Sequence, residues 1–163
     1  MGTDPHEPHA AEEMNQLSCN SLVSRSFTDG RILIMKFGYT IIYVADVQAS
    51  ATFFETAFGI KTRFTHESGY AELETGATAL AFATHELGRS NVPSGYVAAD
   101  TSARPLGMEI ALVTSDVSAA HARAVAAGAK SISEPAQKPW GQTVSYVRCP
   151  DGTLVELCTP VNS

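Results

Sequence analysis

Residues 39–62 read YTIIYVADVQASATFFETAFGIKT, and residues 109–131 read EIALVTSDVSAAHARAVAAGAKS. The two stretches follow one grammar, and an internal repeat of this kind decides the fold. Each opens on a β-rich run, with Ile41, Ile42, Tyr43 and Val44 in the first copy and Ile110, Leu112 and Val113 in the second. Asp46 or Asp116 follows, at a separation of 70 residues. There a carboxylate can accept the free amide hydrogens of a first helical turn. Val47, Ala51, Phe54 and Phe58 then recur at helical spacing, and Val117, Ala120, Ala124 and Ala127 repeat the stripe with smaller side chains. Gly59 and Gly128 are expected to stop the helices, because glycine enters the left-handed region without a Cβ clash.

Three strand-like stretches come after each helix: 61–66, 70–75 and 78–84 in one copy, and 130–134, 143–149 and 153–159 in the other. Ser68-Gly69 and Gly76-Ala77 separate the first set, and Pro150-Asp151-Gly152 makes a tight turn in the second. The expected unit is βαβββ, present twice, at about 36–86 and 107–160. Residues 87–106, rich in Gly, Ser, Pro and Asn, read as the linker. The patterned domain spans 35–163, and residues 1–34 read as a tail or extension with one short helix over 10–23.

The chain of 163 residues is long enough to bury a real core. Its formal charge of −6 argues against nucleic acid, which calls for a basic patch. Five acids and two bases in residues 1–34 account for half of that charge. Cys19, Cys149 and Cys158 are an odd number with no CxxC spacing, which speaks against a disulfide framework or a structural zinc site. No apolar run is long enough to span a membrane, and the acidic N-terminus lacks the apolar segment of a secretory signal. The expected location is the cytoplasm.

The segment KPWGQTVSYVRCPDGTLVELCTP, residues 138–160, closes the second copy on a PDG turn followed by a glutamate. With the duplicated strand–Asp–helix–Gly pattern, it makes residues 36–160 resemble the vicinal-oxygen-chelate superfamily of glyoxalases, bleomycin-resistance proteins and extradiol dioxygenases. The resemblance implies an α+β fold in which two βαβββ modules form a curled mixed sheet. That sheet is a half-barrel around a cleft, with helices on the convex face. It also implies a homodimer.

Alternation along the strands then sorts the side chains. Ile42, Val44, Ile110, Leu112, Val155 and Leu157 face the helices. Tyr39, Ile41, Tyr43, Glu109, Ala111, Val113, Leu154, Glu156 and Cys158 face the cleft.

Metal-dependent relatives ligate through the first and last strands of each module. Counting back from Asp46 and Asp116, and aligning Gly76 with Gly152, assigns those positions to Tyr39, Leu80, Glu109 and Glu156. The quartet has no histidine, and leucine cannot ligate. Zinc, iron and nickel favour imidazole here, so no metal and no other cofactor is expected, although a weak divalent cation held by carboxylates and waters stays compatible. His66, His85 and His121 read as surface or helix-face residues.

Glu109 and Glu156 then need another explanation. The plain one is internal satisfaction, by Tyr39 or Gln142 for one and by Arg148 for the other. The functional one is a cleft for a small cationic or aromatic molecule, formed by Tyr39, Ile41, Tyr43, Phe64, Glu109, Trp140, Gln142 and Glu156, with Trp140 as a stacking lid. This suits sequestration without chemistry, as in the bleomycin-resistance branch. The alternatives are a lyase or isomerase acting on a small carbonyl compound, with Glu156 as the catalytic candidate, and a non-catalytic dimeric module.

Overall fold

Asp46 and Asp116 each cap a helix. Their Oδ1 atoms accept from the amides of Ala49 and Ala119, both at 2.9 Å. The computed structural model describes residues 35–67 and 69–161; the expectations for residues 1–34 and for Ser68 lie outside them. From Phe37 onward the chain forms one unit.

The first module runs β1 (Tyr39–Val44), α1 (Val47–Phe58), β2 (Thr62–His66), β3 (Tyr70–Leu73) and β4 (Ala79–Thr84). A short helix α2 (His85–Asn91) follows. The second module is β5 (Ile110–Val113), α3 (Val117–Ala126), β6 (Lys130–Gln137), β7 (Thr143–Arg148) and β8 (Leu154–Cys158). Each module builds its own four-stranded mixed sheet, ordered β1-β4-β3-β2 and β5-β8-β7-β6. In each, the first strand lies parallel to the last, and the other pairings are antiparallel. A helical crossover is what lets two strands of one sheet run parallel. The α+β fold expected from the repeat is therefore present, as two unclosed sheets.

The helices pack on one face of the sheets and on each other. Ala51, Phe54 and Ala57 of α1 meet Leu80 and Phe82 of β4, while Val117, Ala120 and Ala124 of α3 meet Val147, Val155 and Leu157 in the same continuous core. The small residues of α3 allow close approach to α1, and Arg123 Nε donates to the Ala57 carbonyl at 2.7 Å. His121 is on this helix and outside the cleft, yet buried rather than on the surface.

Both helix-stopping glycines stand as expected: Gly59 is the left-handed cap of α1, and Gly128, with a φ of +115°, follows the Ala127 cap of α3, its amide donating to the Val125 carbonyl and that of Ala129 to the Ala124 carbonyl, both at 3.0 Å. Two local expectations are corrected. β6 runs on through Pro135, which is tolerated because β6 is an edge strand whose register breaks there. The start of the presumed linker is helical: Thr84 Oγ1 accepts from the Leu87 amide at 3.2 Å and caps α2. Among the described residues no helix is long and apolar enough to cross a membrane.

Candidate functional site

The register decides which side chains meet on the open faces of the sheets. Ile41 stands opposite Ala81 in the first module, and Ala111 stands opposite Glu156 in the second. With Asp46 matched to Asp116, the counterpart of Glu156 is therefore Ala81. Leu80 points the other way, into the core, and is 5% exposed. Aligning the two glycines misplaces this position by one, because the first turn carries one more residue between Gly76 and its strand than the second carries after Gly152.

The open face of the first module has a floor of Ala79, Ala81 and Ala83. Beside it Glu72 accepts from Arg63 Nη2 at 2.7 Å and from the Tyr70 hydroxyl at 2.9 Å. Those two bonds, Arg63's first, hold the Glu72 carboxyl below its ordinary range. Burial and the bond to Glu72 push the Tyr70 phenol up to about 12. Tyr39 stands near this group, 58% exposed.

The second module has the opposite arrangement. Its acid lies on the last strand, and no cation among the described residues answers it. Glu156 Oε2 accepts from the Tyr146 hydroxyl at 2.6 Å. Glu109, just before β5, reaches the same carboxylate. Partial burial, then the hydrogen bond to Glu156 and its charge, hold the Glu109 carboxyl above its ordinary range. The hydrogen bond to Glu156 and burial push Tyr146 up to about 12, and burial with the same acid pushes the Cys158 thiol up to about 11. Among the described residues neither Glu109 nor Glu156 has an ion-pair partner. Two adjacent carboxylates without a cation favour sharing one proton.

This corrects the expected internal partners. Gln142 donates to the Thr159 carbonyl at 2.6 Å, and Arg148 donates to the carbonyls of Ala99 and Ser102 at 2.6 and 2.7 Å. Tyr146, opposite Glu156 in the β7–β8 register, takes the role given to Tyr39 or Gln142. Counting back across the PDG hairpin would have found it.

Next to Glu109 lies a cavity of about 200 Å³, bounded by β1, the start of β5 and the connection between modules. Ile41, Tyr43 and Glu109 of the expected ligand set line it, joined by Tyr96, Leu106 and Met108 from the connection. Tyr39, Phe64, Trp140, Gln142 and Glu156 do not line it. Phe64 lies beside His66 on β2, 49% exposed. Trp140 Nε1 donates to Gln142 Oε1 at 2.9 Å in the β6–β7 hairpin, so those two residues hold each other. Nothing in the pattern of the connection marked Tyr96 or Met108, because a segment outside the repeat has no periodicity to read.

A duplicated βαβββ unit with its acids on the open sheet face defines the class of protein. The glyoxalase/bleomycin resistance protein/dioxygenase superfamily model matches residues 36–157, and the chain belongs to that family. It is 32% identical over 125 residues to the protein YwbC of Bacillus subtilis (strain 168), covering 75% of this chain and 95% of the relative. Its fold is similar to a glyoxalase-related enzyme from Fulvimarina pelagi, with a TM-score of 0.67, 22% identity, and coverage of 78% of this chain and 89% of that one. It is also similar to a glyoxalase/bleomycin resistance protein/dioxygenase family enzyme from Burkholderia phytofirmans PsJN, with a TM-score of 0.66, 20% identity, and coverage of 78% and 100%.

The residues at the family's metal positions do not fit a transition metal. They are Tyr39, Ala81, Glu109 and Glu156, one of which has no donor atom and none of which is an imidazole. Among the described residues no three His, Cys, Asp or Glu side chains gather where one ion could be held.

The carboxylate pair is directly testable. Because Glu109 holds its proton more tightly than an unfolded chain would, folding stability falls as pH rises from the ordinary carboxylate range through Glu109's raised value. Glu156→Gln removes the repelling charge, so the midpoint of Glu109 should move down toward the ordinary value in a carboxyl carbon-13 NMR titration. An unmoved midpoint would show that the two acids do not interact.

Proposed function

We propose that the chain binds a small cationic or aromatic molecule without a metal and sequesters it, in the manner of the bleomycin-resistance branch. One observation carries this reading: an apolar cavity with Glu109 in its wall, an acid that has no ion-pair partner among the described residues. An apolar cavity of 150 Å³ accepts benzene, so about 200 Å³ suits a one-ring molecule with a short polar arm. The carboxylate offers that arm a charge partner, and Tyr43 offers the ring a face.

Benzylamine and benzyl alcohol have the same shape and differ in charge. Calorimetric titration of the whole protein should show saturable binding of both, with benzylamine favoured. Glu109→Gln should weaken benzylamine by about three- to fivefold, the worth of a solvent-screened ion pair, and leave benzyl alcohol unchanged. Absence of saturable binding by either compound would end the proposal.

A second reading has its own support. Glu109, whose hold on its proton is tightened by burial and by the neighbouring Glu156, stands beside a carboxylate that accepts from Tyr146, an arrangement that can take up and return a proton. A lyase or isomerase acting on a small carbonyl compound would use it, with Glu156 as the base. Turnover that survives chelator and disappears in Glu156→Gln would select this reading over sequestration.

The assembly proposed for either reading is a homodimer in the cytoplasm. Tyr39, Ile41, Phe64 and Val113 lie exposed on open sheet faces, and apolar faces of that kind are normally covered. Sedimentation showing only monomers would remove the dimer, and a dimer without binding or turnover would leave the non-catalytic module.

A further inference from the structure

The repeat accounts for both sheets and for α1 and α3, but not for α2 or the connection that follows it. A connection with no task can run free in solvent; this one is fixed at several points. Arg148 holds the carbonyls of Ala99 and Ser102, and the backbone of Ala99 lies so close to Gly152 that a side chain there would collide with it.

At its other end the connection is fixed to α2. His85 Nδ1 is 2.8 Å from the Tyr96 hydroxyl, and His85 Nε2 is 3.2 Å from Asp100 Oδ2. The Tyr96 ring lies on Tyr43, with centroids 5.0 Å apart and planes tilted by 30°. Gly88 of α2 seats both rings: a Cβ there would stand 2.7 Å from the Tyr96 hydroxyl oxygen and 2.8 Å from the Tyr43 ring. Tyr96 is thus held by its hydroxyl, by its face and by the absence of a side chain behind it. Its ring lines the cavity and His85 does not.

We infer that Tyr96 is a specificity-determining residue of this cavity, that His85, braced by Asp100, is its positioning residue, and that together with Tyr43 they select a flat ring over a puckered one. This rests on the reading of the cavity as a binding site and adds which ligands it prefers. Stacked or tilted ring pairs contribute through face and edge electrostatics that a saturated ring lacks. A wall of two tyrosine rings therefore discriminates by shape and π character, while Glu109 discriminates by charge.

Benzylamine and cyclohexylmethylamine, equal in heavy atoms and charge, separate the two effects. In calorimetric titrations of the whole protein, benzylamine should bind about three- to tenfold more tightly, the equivalent of one aromatic contact. Tyr96→Leu should lower that ratio clearly, leaving only the part that Tyr43 contributes. His85→Ala should lower the ratio, and His85→Gln, which can still bond the Tyr96 hydroxyl, should restore part of it. A ratio unmoved by Tyr96→Leu or by His85→Ala, or an equal loss of both affinities, overturns the inference, since a merely structural role would act on both amines alike. A wild-type protein that binds neither amine overturns the binding reading itself.

Discussion

Gly152→Ala should destabilise the protein by about 2–4 kcal/mol in urea denaturation, adding the strain of a left-handed alanine to the cost of overpacking. Gly152 has a φ of +86°, and a β-carbon there would overlap the carbonyl of Ala99 and press on the amide of Asp100. The backbone atoms it meets cannot rotate away as a side-chain tip could. Relief requires the connection to lift from the β7–β8 turn, which would also pull Ala99 and Ser102 from Arg148 and open the cavity wall. Gly76→Ala is the control. Its φ is +88°, but a β-carbon there meets nothing within 4 Å, so it should cost only the strain, about 1–2 kcal/mol. Equal costs at the two glycines would show that the close approach at Gly152 has no energetic weight.

Phe54→Ala should cost about 3–5 kcal/mol in the same measurement, the range for an aromatic removed from a core that cannot collapse around the gap. Phe54 is fully buried, and its ring meets Phe58 at 5.0 Å, Phe82 at 5.1 Å and Phe53 at 6.1 Å, all edge to face. It joins α1 to β4, and β4 is bonded on both edges within a sheet, so neither side can move in to fill the space. Phe54→Leu, which keeps most of the volume, should cost less than about 1.5 kcal/mol. A loss below about 2 kcal/mol for the alanine variant would mean that the core relaxes after all.

The elements the repeat made legible share one property: their signals are local. An aspartate accepts from an amide three residues ahead, and an apolar stripe needs only the pitch of its own helix. The orientations of Ile42, Val44, Val155 and Leu157, and the placing of Glu109 and Glu156 on one sheet face, followed from alternation together with the convex helices that the family resemblance implies. The position opposite Glu156 did not. One extra residue before β4 reverses which side chains face the cleft, and a glycine match cannot detect that, so Leu80 stood where Ala81 belongs. Trp140 and Gln142 were read by residue type, but the hairpin bonds them to each other and to Thr159.

The sequence by itself determined the duplication, the capped helices, the alternation of the strands, and the presence of acids where relatives carry metal ligands. These depend on neighbours a few residues apart, or on one segment resembling another. Only the tertiary structure decided what surrounds those acids: Tyr146 instead of Arg148 beside Glu156, and a cavity walled by Tyr96 from a segment with no periodic pattern. Residues far apart in the chain meet through strand register and chain crossing, and neither is written in the order of residue types along one element.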